Sequence, residues 1–123
     1  MKIGEAIQRA DSLKPNSYSQ HDKIVWLSNL DMIVYNEVIS AHENPSVASF
    51  DGYADGTSPE TELLVGAPYD DMYISWIAAQ IDLNNLEYDF YNNDIARFNE
   101  TYSQYRNFYN SKHEPKGRRF VYF

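Results

Sequence analysis

The chain has 123 residues, no cysteine, and 18 acidic against 10 basic side chains, for a formal net charge of -8. That length fits one compact domain and leaves none for a second. The lack of cysteine excludes a thiol nucleophile, a disulfide framework and a Cys-type zinc site, and the negative charge argues against a broad grip on nucleic acid, which needs a basic face to displace phosphate counterions.

The segment MKIGEAI has neither the apolar run nor the small-residue cleavage site of a signal peptide, and no stretch of about 18 apolar residues occurs. A soluble, non-secreted chain is expected. Ile3, Ala6, Ile7, Ala10 and Leu13 recur at three- and four-residue steps, which predicts an amphipathic helix over 2–14, ended by Pro15 because the residue before proline is pushed out of helical geometry. After the turn at Asn16-Ser17-Tyr18, Ser19 reads as an N-cap and Asp22 suits the positive end of a second helix over 19–42. Its apolar set is Ile24, Leu27, Leu30, Val34, Val38 and Ala41, widened by Trp26 and Ile33.

Residues 43–68 change character. Pro45, Gly52, Gly56, Pro59, Gly66 and Pro68 punctuate them, and no helix is expected there. From 43 to 71 the chain carries Glu43, Asp51, Asp55, Glu60, Glu62, Asp70 and Asp71 with no lysine or arginine. A loop this long in a compact domain calls for a functional reason or disorder.

From residue 69 a helical rhythm runs through Tyr73, Ile77, Tyr88, Tyr91, Ile95, Phe98, Tyr102, Tyr105 and Tyr109. Pro68 and Asp70-Asp71 suit its start, Lys112 and His113 its end. A single helix over 69–112 would be roughly 65 Å long, against about 35 Å for the diameter of a globule of this size. Either it breaks, at Asn84-Asn85 or Asn92-Asn93, or it stays long and buries its far half on other subunits. The unbroken phase favours a long helix, with a bend allowed near Asn84-Asn93. Eight aromatics between positions 88 and 109 exceed what two short partner helices would cover, which makes Tyr91, Phe98, Tyr102, Tyr105 and Tyr109 an expected inter-subunit face.

The extended tail, 113–123, inverts the charge. Lys112, Lys116, Arg118 and Arg119 oppose only Glu114, so residues 1–111 hold 17 acids against 6 bases, or -11, and the remainder is +3. Its ending FVYF is aromatic and β-prone, and is expected to dock on something. Folding back onto its own domain is the competing reading.

Catalytic signatures are absent from the sequence: there is no GxGxxG, Walker loop, HExxH, EF-hand loop or GxSxG. His21, His42 and His113 are isolated, and a metal site needs three or four ligands at compatible spacing. Asp70 and Asp71 point about 100° apart on a helix and suit its N-terminal charge better than acid-base work. Asn99-Glu100-Thr101 matches a glycosylation sequon, but lies mid-helix in a chain without a secretion signal. No catalytic, cofactor-binding or metal residue is assigned, and no enzyme is expected. The fold class expected is all-α, a small single-domain helical bundle with a long C-terminal helix.

The strings MKIGEAIQRADSLKPNSYS, TELLVGAPYDDMYISWIAAQID and YNNDIARFNETYSQYRNFYNSKHEPKG resemble the head-tail connector, or adaptor, proteins of tailed bacteriophages, over nearly the whole chain except residues 43–60. The resemblance implies a virion protein of the neck, assembled in the host cytoplasm as a ring of about twelve copies beneath the portal. Such a ring extends the DNA channel and offers a platform to the next connector or tail-completion protein. On that footing Asp51, Asp55, Glu60 and Glu62 would line the bore and let DNA pass without sticking, with an outward-facing solvated loop as the alternative. Lys116, Arg118, Arg119, Phe120, Val121, Tyr122 and Phe123 would be the arm that docks on the portal.

The main rival is an acidic, DNA-mimicking phage inhibitor of a host nucleic-acid-binding protein, which charge alone permits. Against it, apolar helix faces interrupt the acids and the tail is basic. A helical homodimer or adaptor of host origin would suit the aromatic helix equally.

Overall fold

The first helix, α1 (Ile3–Leu13), forms because Ile3, Ala6, Ile7 and Ala10 supply one buried stripe. The N–H groups of a first helical turn have no partner within the helix; here Ile3 and Gly4 donate to the carbonyls of Thr61 and Pro59, each at 2.9 Å. The loop therefore caps α1. Gly4 is required by this approach, since a Cβ there would meet the Pro59 side chain at 2.9 Å. These details come from a computed structural model that describes residues 1–42 and 48–112.

After Pro15, Asn16 holds the turn: its amide donates to Asp11 and to the Lys14 carbonyl, and its side-chain oxygen accepts from the Tyr18 N–H. Helix α2 (Gln20–Val34) starts with the Ser19 hydroxyl accepting from the Asp22 N–H at 3.1 Å. It buries Ile24, Leu27, Leu30 and Val34, then passes into a π-helical turn, Tyr35–Ile39. The helical path thus ends a few residues short of the expected 42.

Residues 48–68 are irregular but tied down. Gly52, at φ 95°, brings the chain against α2 so closely that a Cβ would lie 2.5 Å from the Ser28 hydroxyl, and that hydroxyl accepts from the Tyr53 N–H. Leu63 and Val65 enter the core beside Ile3, Leu30 and Tyr73.

A short 3-10 turn at Tyr69–Asp71 leads into α3 (Met72–Asn84), and α4 (Tyr88–Lys112) follows. The single helix over 69–112 is therefore corrected to two. Helix α3 closes with a Schellman arrangement: the Leu86 N–H donates to the Leu83 carbonyl at 3.1 Å and the Glu87 N–H to the Asp82 carbonyl at 2.9 Å, with Leu86 in the left-handed region at φ 61°. Those bonds satisfy carbonyls that a helix end leaves open. The chain then reverses, and α4 packs antiparallel along α3, pairing Tyr69 with Tyr105 and Trp76 with Phe98. Helix α1 lies against α3, and the far part of α4 reaches the π-helical turn. The architecture is a four-helix, all-α bundle with a long last helix and no strand among the described residues.

Candidate functional site

The most deeply buried polar group is Asp31, on the apolar stripe of α2 between Leu27 and Val34. Tyr73 donates to it from α3 at 2.6 Å, the Leu64 N–H donates at 3.1 Å, and the Tyr53 hydroxyl makes a short bond to it. Burial raises the Asp31 pKa, against the lowering effect of these donors. The same burial, with the neighbouring carboxylate, raises both tyrosines above their ordinary value. Asp31 has no solvent exposure, so this cluster fastens the loop to α2 and α3 and offers nothing to a substrate. A carboxylate at the helical spacing of a core stripe is the signal by which the sequence could have revealed it.

The acidic loop is less bare than its sequence suggests. Of the four residues expected to line a bore, Asp51 is exposed, Asp55 meets His21 at 3.0 Å, Glu60 meets the Lys2 ammonium at 2.7 Å, and Glu62 meets the Met1 ammonium at 3.3 Å. The hydrogen bond and charge of Asp55 raise the His21 pKa. Asp55, Glu60 and Glu62 lie where α1 and α2 begin, the ends at which helix dipoles favour negative charge. Local cations and helix ends therefore offset much of the field they would present to DNA.

The expected inter-subunit face, by contrast, is corrected for four of its five residues. Phe98, Tyr102, Tyr105 and Tyr109 are buried in the chain's own core, and Tyr91 is half-buried. Trp76 lies 4.9 Å from Phe98, Tyr69 5.9 Å from Tyr105 and the His42 ring 4.9 Å from Tyr109, while the Tyr102 hydroxyl donates to Glu37 at 2.8 Å. The physical reason is the reversal at Leu86, which turns α4 back so that α3 and the π-helical turn cover rings that a straight helix would have left bare.

Exposed apolar side chains gather at the opposite end, apart from Val25, Ile33 and Phe108, which are exposed elsewhere. Leu86 at the hairpin tip is 69% exposed, Tyr88 and Phe90 are 56% exposed and Leu83 39%, with Leu13 of α1, at 69%, beside them. Leu13 and Phe90 line one shallow cleft with Lys14, Asp94 and Arg97. The Lys14 ammonium lies 4.9 Å from the Phe90 ring centre, 3.0 Å from Asp82 and 3.2 Å from Asp94. It meets the two carboxylates at ion-pair distance, without hydrogen-bond alignment to the buried oxygens. Burial pushes Asp82 up to about 6, with the neighbouring Asp94 adding to the rise and Lys14 opposing it. Burial also works against the Lys14 charge, but its two carboxylate partners carry its pKa above the ordinary lysine value.

No protein-family model, no curated protein and no solved structure matches the chain. Among the described residues no group of three or more His, Asp or Glu is placed to hold a metal ion, and no helix is long and apolar enough to cross a membrane. The arm expected to dock on the portal, Lys116, Arg118, Arg119, Phe120, Val121, Tyr122 and Phe123, lies outside the described residues. The tip, with its large apolar side chains in water, is the best candidate for a site of contact. Of its residues only Tyr88 belongs to the aromatic rhythm of the sequence; Leu83, Leu86 and Phe90 lie off it, and Leu13 comes from the stripe of α1.

Proposed function

We propose that the protein is a structural subunit of a bacteriophage head-tail connector. It packs as one of about twelve copies in a ring under the portal, extends the DNA channel and links capsid to tail. The observation that carries this reading is the hairpin tip. A helical domain whose core is already closed still holds Leu13, Leu83, Leu86, Tyr88 and Phe90 in water, and exposed apolar surface of this kind marks contact with another macromolecule. The resemblance of residues 91–110 and of the N-terminal strings to connector proteins supports the same reading.

In such a ring each copy uses two different faces, and the contacts close when the rotation between neighbours closes. The portal would lie on one side and the next connector or tail-completion protein on the other. DNA would pass without sequence-specific binding, which suits a body of net negative charge. The protein would act in the virion neck after assembly in the host cytoplasm, as a scaffold and not as an enzyme. Mixing the purified chain with portal rings and measuring particle mass tests the reading: a discrete complex carrying a ring's complement of this chain is expected, and persistent absence of any complex overturns it.

A further inference from the structure

We infer that the α3–α4 hairpin tip of one subunit holds the basic, aromatic segment 116–123 of a second copy, an inference that rests on the reading of the protein as a repeated assembly.

Three observations converge. The tip is apolar and carries acids: Leu86, Tyr88 and Phe90 form one shallow depression together with the exposed carboxylates of Glu87 and Asp89. The adjoining cleft beside Leu13 is lined by Lys14, whose charge is met by Asp82 and Asp94, and by Arg97. Segment 116–123 has the matching chemistry, with Lys116, Arg118 and Arg119 followed by Phe120, Val121, Tyr122 and Phe123. Arg118 and Arg119 would meet Glu87 and Asp89, and the rings would cover Leu86, Tyr88 and Phe90. Arginine and aromatic side chains are the usual anchors of such contacts.

Reach then decides which copy supplies the segment. Helix α4 runs from Tyr88 to Lys112, a rise of about 36 Å, so the segment leaves from the end far from the tip. The six residues from Lys112 to Arg118 span at most about 22 Å when drawn straight, about 14 Å short of the tip, and the chain must first reverse its direction. A chain stretched flat along its own α4 could bring only its last residues near its own tip, and could not set Arg118 beside Glu87 and Asp89. The arginines and rings together therefore meet the tip of a neighbour, a head-to-tail contact between two different faces, of the type that generates rings. This gives the arm a partner other than the portal.

The test uses the full-length chain carrying Phe120→Ser and Tyr122→Ser, so that its own segments do not compete for the tip. A fluorescently labelled peptide of residues 112–123 is titrated onto it and followed by anisotropy. Saturable one-to-one binding is expected. Phe90→Ser or Leu86→Ser in the receptor should weaken it by about tenfold or more, Glu87→Lys should weaken it several-fold, and a scrambled peptide should bind about tenfold more weakly. Both apolar positions are more than half exposed; thermal melting identifies variants that remain folded, and either one suffices. Absence of saturable binding, equal binding of the scrambled peptide, or binding that folded tip variants leave unchanged overturns the proposal. If tip binding fails while portal complexes form, only this inference falls. If tip binding holds while no portal complex forms, the head-tail role falls and self-assembly remains.

Discussion

The Tyr73 hydroxyl donates to Asp31 at 2.6 Å while accepting from the Val65 N–H at 2.8 Å, so one phenol joins α3, α2 and the loop between them. Both side chains are without solvent exposure, and each bond would leave a desolvated group behind if cut. Tyr73→Phe removes both bonds while keeping the ring. It should destabilise the chain by about 1–3 kcal/mol, the cost of leaving buried groups unpaired, seen as a lower urea midpoint at unchanged slope.

The second prediction concerns α4. If Phe98 and Tyr105 are core, Phe98→Ala and Tyr105→Ala should each cost about 3–5 kcal/mol in dilute protein, whatever its state of association. If they formed a subunit face instead, stability at low concentration would hold and particle mass would change. Urea unfolding combined with sedimentation separates the two outcomes.

Leu86 sits at the left-handed position where glycine is usual. Leu86→Gly removes a backbone penalty of about 1–2 kcal/mol and adds chain entropy to the unfolded state worth about 0.4–1 kcal/mol. With a side chain 69% exposed, little packing is lost. A small net gain in melting temperature is expected, together with weaker tip binding. Leu86→Val should instead lower it, because β-branching makes that backbone region costlier.

Asp82 gives a pH signature. Burial pushes its carboxyl up to about 6 in the folded chain, above the ordinary aspartate value near 3.8, so between those values the folded state binds more protons than the unfolded one. Stability from this group is therefore full below about pH 4 and is lost as pH rises through 6. Asp31 shifts in the same direction. Comparing urea midpoints from pH 4 to 7, the wild-type chain should lose more stability than Asp82→Asn across that window. An identical slope would contradict the assignment.

Gly52→Ala tests the loop. It meets a φ of 95° and a Ser28 hydroxyl 2.5 Å from the new Cβ, and should lower the melting temperature far more than an alanine at Gly56. Gly56 shares the positive φ, at 81°, but has open space around its Cβ position.

Local chemistry made much of the fold legible. The stripe of α1, the stop at Pro15, the Ser19 cap with Asp22, and the apolar set of α2 depend on neighbours three or four residues apart. Asn84-Asn85 and Asn92-Asn93 were two places where a helix could break, and the chain breaks at the first while α4 runs through the second. The aromatic phase continues through both, however, and periodicity alone does not distinguish one long helix from two.

The sequence by itself determined that the protein is helical, that residues 48–68 are irregular, and that one face of the last segment seeks burial. Tertiary structure decided what buries it. A left-handed Leu86 is unfavourable in isolation, and the contacts of Phe98 with Trp76, Tyr105 with Tyr69 and Tyr102 with Glu37 offset its cost, between residues too distant for any local signal. The same non-local packing placed Asp31 under Tyr53 and Tyr73, paired Asp55, Glu60 and Glu62 with cations near the helix starts, and left Leu86, Tyr88 and Phe90 in water at the tip. Sequence periodicity records that a side chain will be covered; only the folded chain decides which surface covers it.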